Sequence, residues 1–158
     1  MKAAIIFGSP SDRVVMQKAA DVLRSFDIAF SSHVVSAHRA PELLEEVLAE
    51  LEGDGTEVII AGAGLAAHLP GVIAGRTLVP VIGVPIAAGT LGGMDALFSI
   101  VQMPKPVPVA AVGVDNGANA AYLAAEILSL KYPGLKKKLA DFRTTTKMNS
   151  KQESRIDL

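Results

Sequence analysis

The chain has 158 residues, a net charge of -1, half of its residues hydrophobic, a fifth charged, and no cysteine. That length suits one domain with a full core, while the balanced charge and the absence of Trp offer neither a basic footprint nor a stacking platform for nucleic acid. Without cysteine, thiolate nucleophiles, thiolate zinc sites, iron–sulfur clusters and disulfides are excluded.

The mean hydropathy is positive, which raises a membrane alternative. A spanning helix needs roughly 18 apolar residues in a row, and Gly and Pro interrupt every candidate run. A parallel sheet buried on both faces, with subunit interfaces hiding further apolar surface, accounts for the composition without a membrane. Met1-Lys2-Ala3 leads straight into a strand-like run, so no signal-peptide core is expected and location defaults to the cytoplasm.

Ala3–Phe7 reads as a buried strand and Ser11–Ser25 as a helix, with apolar positions Val14, Val15, Ala19, Val22 and Leu23. Ile28–Val35 is a second strand. Pro41–Glu52 is a second helix, with Pro in its first turn and Glu42, Glu45 and Glu46 near its positive end. Val58–Ala61 is a third strand, followed by a glycine-rich loop and a short helix reaching Gly75. Then come a strand at Val79–Val84, a helix at Gly93–Gln102, a strand at Val107–Val114 and a helix at Asn116–Leu130. Five β–α units predict a doubly wound parallel sheet in a flavodoxin-like three-layer α/β/α sandwich, its first strand between the second and third. No internal repeat or linker divides residues 1–132. Beyond Tyr132-Pro133-Gly134, residues 133–158 begin with an amphipathic helix, Leu135–Phe142, and turn polar. They form either a frayed surface helix or an arm packing on a neighbouring subunit.

Ligands of such sheets bind beyond the carboxyl ends of the strands, where strand order reverses. Three loops converge there. In the first, Gly8-Ser9-Pro10-Ser11-Asp12, a helix start and two hydroxyls form a natural phosphate site, and Asp12 suits vicinal hydroxyls such as those of a ribose. A plain capping turn with Ser11 or Asp12 as N-cap is the simpler alternative. In the second, Ser36-Ala37-His38-Arg39, Arg39 offers a planar fork for phosphate or carboxylate, His38 exchanges protons near neutral pH and Ser36 adds a hydroxyl. Purely structural roles, with His38 capping and Arg39 pairing a helix glutamate, explain the His–Arg pair less well. The third joins Gly62 and Gly64 to His68 and Pro70-Gly71, where bare backbone could lie against a flat ring. His68 reads equally as a buried structural histidine, and His33 as structural or interfacial. There is no glycosidase-like carboxylate pair, no histidine pair at metal-binding spacing on one helix, and no nucleophile elbow. Proton transfer and electrostatic positioning remain.

Gly8–Asp12, Ser36–Pro41, Ala61–Gly64 and Ala66–Gly71, with Pro80–Pro85, Ser99–Pro104 and Asn119-Ala-Ala, resemble the signatures of the N5-carboxyaminoimidazole ribonucleotide mutases of purine biosynthesis. The match is collinear over residues 3–132. The resemblance implies a flavodoxin-like octamer that moves a carboxyl group from N5 to C4 of an aminoimidazole ribonucleotide, with no metal or cofactor. It gives His38 the proton shuttle, Ser9, Ser11, Ser36 and Arg39 the phosphate, and Asp12 the ribose. Ala37 joins the substrate-binding set, and Gly64, Ala66, His68 and Leu69 line a ring and CO2 pocket. Three positions in the motifs depart from the pattern, counting the pair as one: Leu65 in place of a second glycine, Lys105-Pro106 in place of X-Gly, and Ala96 in place of a serine. Direct carboxylation of aminoimidazole ribonucleotide, or a non-catalytic phosphosugar-binding module, are the competing expectations.

Overall fold

A computed structural model describes residues 1–152 and 154. Among them, five strands form one all-parallel sheet in the order β2-β1-β3-β4-β5. They are β1 (Lys2–Phe7), β2 (Ala29–Val34), β3 (Val58–Gly64), β4 (Val81–Ile86) and β5 (Ala110–Ala111). The helices are α1 (Arg13–Ser25), α2 (Pro41–Gly53), α3 (Leu69–Ala74), α4 (Met94–Val101), α5 (Gly117–Ser129) and α6 (Pro133–Gln152). The flavodoxin-like order expected from the β–α alternation is the one present, with β1 between β2 and β3.

Alternation along β1 explains the layers. Ala3, Ile5 and Phe7 point to one face, where they pack with Met16 and Leu23 of α1 and the alanines of α5. Ala4 and Ile6 point to the other, against Leu44 and Leu48 of α2 and Ile73 of α3. The alanine-rich face of α5 lies inside the subunit: Ala120, Ala121, Ala124 and Ala125 are each 0% exposed. Small side chains let α5 approach α1 so closely that a methyl group at Gly117 would strike the Val15 carbonyl.

Several boundaries differ from the sequence reading, among them β4, which lies at Val81–Ile86 and not at Val79–Val84. Ser11 and Asp12 belong to a short 3-10 turn, Pro10–Asp12, and α1 starts at Arg13. β3 runs on through Gly62, Ala63 and Gly64, paired with Val84, Pro85 and Ile86; the small residues that read as loop are the ones that let two strands and a helix crowd together. β5 shrinks from eight expected residues to Ala110–Ala111, because Pro108 inside the run has no N–H for the ladder and β5 is the sheet edge. α6 runs on past Phe142 to Gln152. Leu135 and Leu139 of its first turns are buried in the α1/α5 core, and Phe142 stacks on Tyr122 at 5.3 Å. The expectation for residues 133–158 extends over 153 and 155–158, which lie outside the described residues.

Candidate active site

β1, β2 and β3 are neighbours and parallel, so the loops leaving Phe7, Val35 and Gly64 open at one edge of the sheet. Hydrogen bonds tie them together: Gly8 N–H donates to the Gly62 carbonyl at 3.3 Å and Val35 N–H to the Phe7 carbonyl at 2.9 Å. The Arg39 guanidinium crosses from the second loop and donates to the Gly8 carbonyl at 3.3 Å. A cavity of about 320 Å³ lies between the three loops. The eleven residues that the resemblance assigns to the site all line it, namely Ser9, Ser11, Asp12, Ser36, Ala37, His38, Arg39, Gly64, Ala66, His68 and Leu69, whereas Gly62, Pro70 and Gly71 of the third loop do not. Gly8, Ala63, Leu65 and Ala88 complete the wall.

The first loop is ordered from within. Ser9 Oγ caps the 3-10 turn by accepting from Ser11 N–H at 3.4 Å, and Ser11 Oγ lies 2.8 Å from Ser9 Oγ and 3.2 Å from Asp12 Oδ1. The side chain that caps is therefore Ser9, not Ser11 or Asp12: Asp12 stands at the N-cap of α1 without a side-chain cap bond, and both hydroxyls stay on the cavity. Asp12 is 8% exposed. Burial pushes its carboxyl above the ordinary aspartate value, with the Ser11 hydroxyl and a backbone hydrogen bond from Ser9 acting in the opposite direction. In the second loop, Ser36 Oγ accepts from Arg39 N–H at 3.3 Å, so the serine aims the His38–Arg39 pair. No side chain caps α2 at Ala40.

The third loop turns sharply. Ala67 N–H donates to the Leu65 carbonyl at 2.8 Å and His68 N–H to the Ala66 carbonyl at 2.7 Å. A side chain at Gly64 would press on Ala88 Cβ at 3.0 Å and the Ile86 carbonyl at 3.1 Å, so close packing against the β4 end requires glycine there. Leu65 follows with φ +55°, in the left-handed region. This conformation costs a non-glycine residue roughly 1–2 kcal/mol.

The turn delivers His68 to His38. Their facing nitrogens, His38 Nε2 and His68 Nδ1, are 2.8 Å apart, and the rings meet edge to face at 85°. Such a bond needs one N–H and one lone pair, so it holds one proton between the rings and breaks when both become imidazolium. Nothing in the sequence predicts this contact. β2 and β3 are separated by β1, and the two histidines meet only because both loops fold over the end of that central strand. Ala88 was missed for a different reason: it follows β4 in a run of small residues without chemistry of its own. His33 lies on edge strand β2, away from the cavity, with Nε2 3.1 Å from Ser31 Oγ. Of the departures from the motif pattern, Ala96 is buried in the core and Lys105-Pro106 is exposed outside the cavity. Only Leu65 touches it.

Hydroxyls from two loops, an arginine fork, a buried carboxylate and a histidine pair share the cavity lining with the alkyl groups of Ala63, Leu65, Ala66, Leu69 and Ala88. Fold and cavity together define a flavodoxin-like α/β enzyme domain with a polar–apolar cleft at the carboxyl edge of its sheet. A family model described as AIR carboxylase matches residues 2–149, and the chain belongs to that family. The N5-carboxyaminoimidazole ribonucleotide mutase of Pyrococcus abyssi is 56% identical over 146 residues, spanning 92% of this chain and 84% of that protein. The mutase of the same name from Escherichia coli is 49% identical over 144 residues, spanning 90% and 85%. The crystal structure of Treponema denticola PurE has a TM-score of 0.88 at 27% identity, covering 96% of this chain and 95% of that one.

Proposed function

We propose that this chain converts N5-carboxyaminoimidazole ribonucleotide into 4-carboxyaminoimidazole ribonucleotide, a step of purine biosynthesis, in the cytoplasm and without metal or cofactor. The observation that carries the reading is the convergence of three mutase-like motifs on one cavity with His38 inside it. Identities near 50% to mutases from distant organisms support the same reading.

In this scheme Ser9, Ser11, Ser36 and Arg39 hold the phosphate through hydroxyls and a bidentate fork. Asp12 accepts from the ribose hydroxyls, and the Ala37 backbone borders the sugar. The aminoimidazole ring lies against Gly64, Ala66, His68 and Leu69. The N5–carboxyl C–N bond breaks, its electron pair returns to N5, and His38 donates the proton that N5 takes up. The released CO2 stays in the site, and C4 attacks its carbon to form the new C–C bond. C4 then gives its proton back to His38, so the imidazole ends as it began. Because the reacting pieces never leave the cleft, positioning replaces an external carboxyl donor.

The family description favours one rival, direct carboxylation of aminoimidazole ribonucleotide with CO2. The purified protein is offered N5-carboxyaminoimidazole ribonucleotide, then aminoimidazole ribonucleotide with bicarbonate. A higher kcat/KM on the first substrate is the expected result, faster turnover on the second would assign the carboxylase, and binding without turnover would leave a phosphosugar-binding module.

A further inference from the structure

β4 outlasts its partner strand. β5 pairs only Ala110 and Ala111, opposite Ile82 and Gly83, yet β4 runs on to Ile86 and then brings Ala88 to the cavity. Past β5 the open side of β4 is closed by single bonds. Val112 N–H donates to the Gly83 carbonyl at 3.1 Å, and Asp115 N–H to the Pro85 carbonyl at 2.9 Å. The next group, Ala87 N–H, donates to Asp115 Oδ1 at 2.9 Å. In a parallel ladder, one residue donates to and accepts from two partner residues on either side of its opposite number. Asp115 meets that pattern at Pro85 and Ala87, with its carboxylate standing where its own carbonyl would be. Its φ of +56° turns that carbonyl away, and Lys18 Nζ of α1 donates to it at 3.5 Å. The left-handed region is costly for most side chains and tolerated by Asp and Asn. The segment so held backs the turn that brings His68 to His38. A side chain at Gly64 would meet Ala88 Cβ at 3.0 Å and the Ile86 carbonyl at 3.1 Å, so the end of β4 packs directly on that turn.

We propose that Asp115 is a positioning residue of the transfer: through its two bonds to the end of β4 it fixes Ala88 against Gly64, and so sets the wall along which the aminoimidazole ring meets His38. The role rests on the mutase reading above. Asp115 does not itself line the cavity; it acts through the segment it holds. The groups that hold the phosphate and ribose in that reading stand on the first two loops, away from this wall. Loosening the wall therefore leaves binding nearly intact and misaligns the ring, a loss that falls on kcat.

The test measures kcat and KM on N5-carboxyaminoimidazole ribonucleotide, together with melting temperature, for wild type, Asp115→Asn, Asp115→Ala and Asp115→Gly. Ala87 is exposed, so its freed N–H finds water and every variant should still fold. Ala and Gly should lower kcat about tenfold, inside the roughly hundredfold that a misplacement of about 1 Å can cost, with KM within about twofold of wild type. Asn keeps an acceptor at the same atom and tolerates the left-handed region, so it should restore kcat. Gly relieves a strain that Ala does not, so it should melt higher than Ala while losing as much activity. Activity that follows melting temperature, recovering in Gly and not in Asn, would make Asp115 a purely structural residue and overturn the proposal. So would wild-type kcat in both Ala and Gly, a loss confined to KM, or a loss that goes with dissociation of the oligomer. If wild type itself makes no 4-carboxylated product, the mutase reading falls and this role with it; if wild type does and the variants match it, only the role of Asp115 falls.

Discussion

His38 and His68 share one hydrogen bond, and that contact separates two kinds of loss. His38→Asn keeps a polar side chain but exchanges no proton; kcat should fall about 10²–10⁴-fold, with the fold, the oligomer and substrate binding intact. Retention of more than about a tenth of kcat would remove the shuttle from His38. His68→Asn should cost less and move the pH profile of kcat, because it removes the ring that shares the proton; a KM change with an unmoved profile would confine His68 to pocket shape. At Asp12 the sign is set by burial. A carboxyl whose value is raised on folding makes the folded state less stable as pH climbs from the ordinary aspartate value of 3.8 through the raised one, and the penalty persists at neutral pH. Asp12→Asn should therefore melt higher than wild type at pH 7 while raising KM, and wild-type affinity should weaken as acid protonates Asp12. Arg39→Lys keeps the charge and loses the fork, so KM should rise with little change in kcat. The sequence made all these side chains legible because each is a rare chemical group next to a strand end. It hid the His–His bond, which depends on how loops from different strands bend toward one another.

At the scale of elements, hydrophobic runs and turn residues marked β1 to β4 and α1 to α5, because buried parallel strands are continuous apolar runs and their boundaries carry Gly and Pro. Where those signals conflict, legibility ends. Gly62-Ala63-Gly64 reads as loop yet pairs as strand, and Val107–Val114 reads as strand yet pairs over two residues. The polar end of α6 carries no apolar stripe, but Thr144, Thr145 and Thr146 bond back to the carbonyls of Ala140, Asp141 and Phe142 at 3.0, 3.1 and 3.0 Å and remain helical. The α1/α5 contact offers the clearest energetic test. Ala124 is 0% exposed, so Ala124→Val should overpack the interface and lower stability by about 1–3 kcal/mol. Urea denaturation measures it, and a neutral result would mean that α5 sits more loosely than its buried alanines indicate.

For the whole molecule, the question is what covers the apolar surface that the subunit leaves open. With the alanines of α5 consumed internally, the exposed apolar residues closest together in sequence are those on α4 and the turn before it. On α4, Met94, Phe98 and Val101 are spaced by four and three residues and fall on one helical stripe, Leu91 lies in the turn before the helix, and each is at least 46% exposed. The stripe follows the loop carrying Ala88 and Gly89, so a subunit docking there would border the candidate active site. Contiguous apolar surface of this kind marks contacts between chains, and closed symmetric assemblies are the usual way to bury it. Light scattering should therefore show a closed oligomer, an octamer by resemblance to the family. Phe98→Glu would put a charge in the centre of the stripe and should yield smaller species that stay folded and lose activity as they dissociate. A wild-type chain that is monomeric at micromolar concentration and fully active would show that α4 faces water, and that the cleft needs no neighbour to complete it.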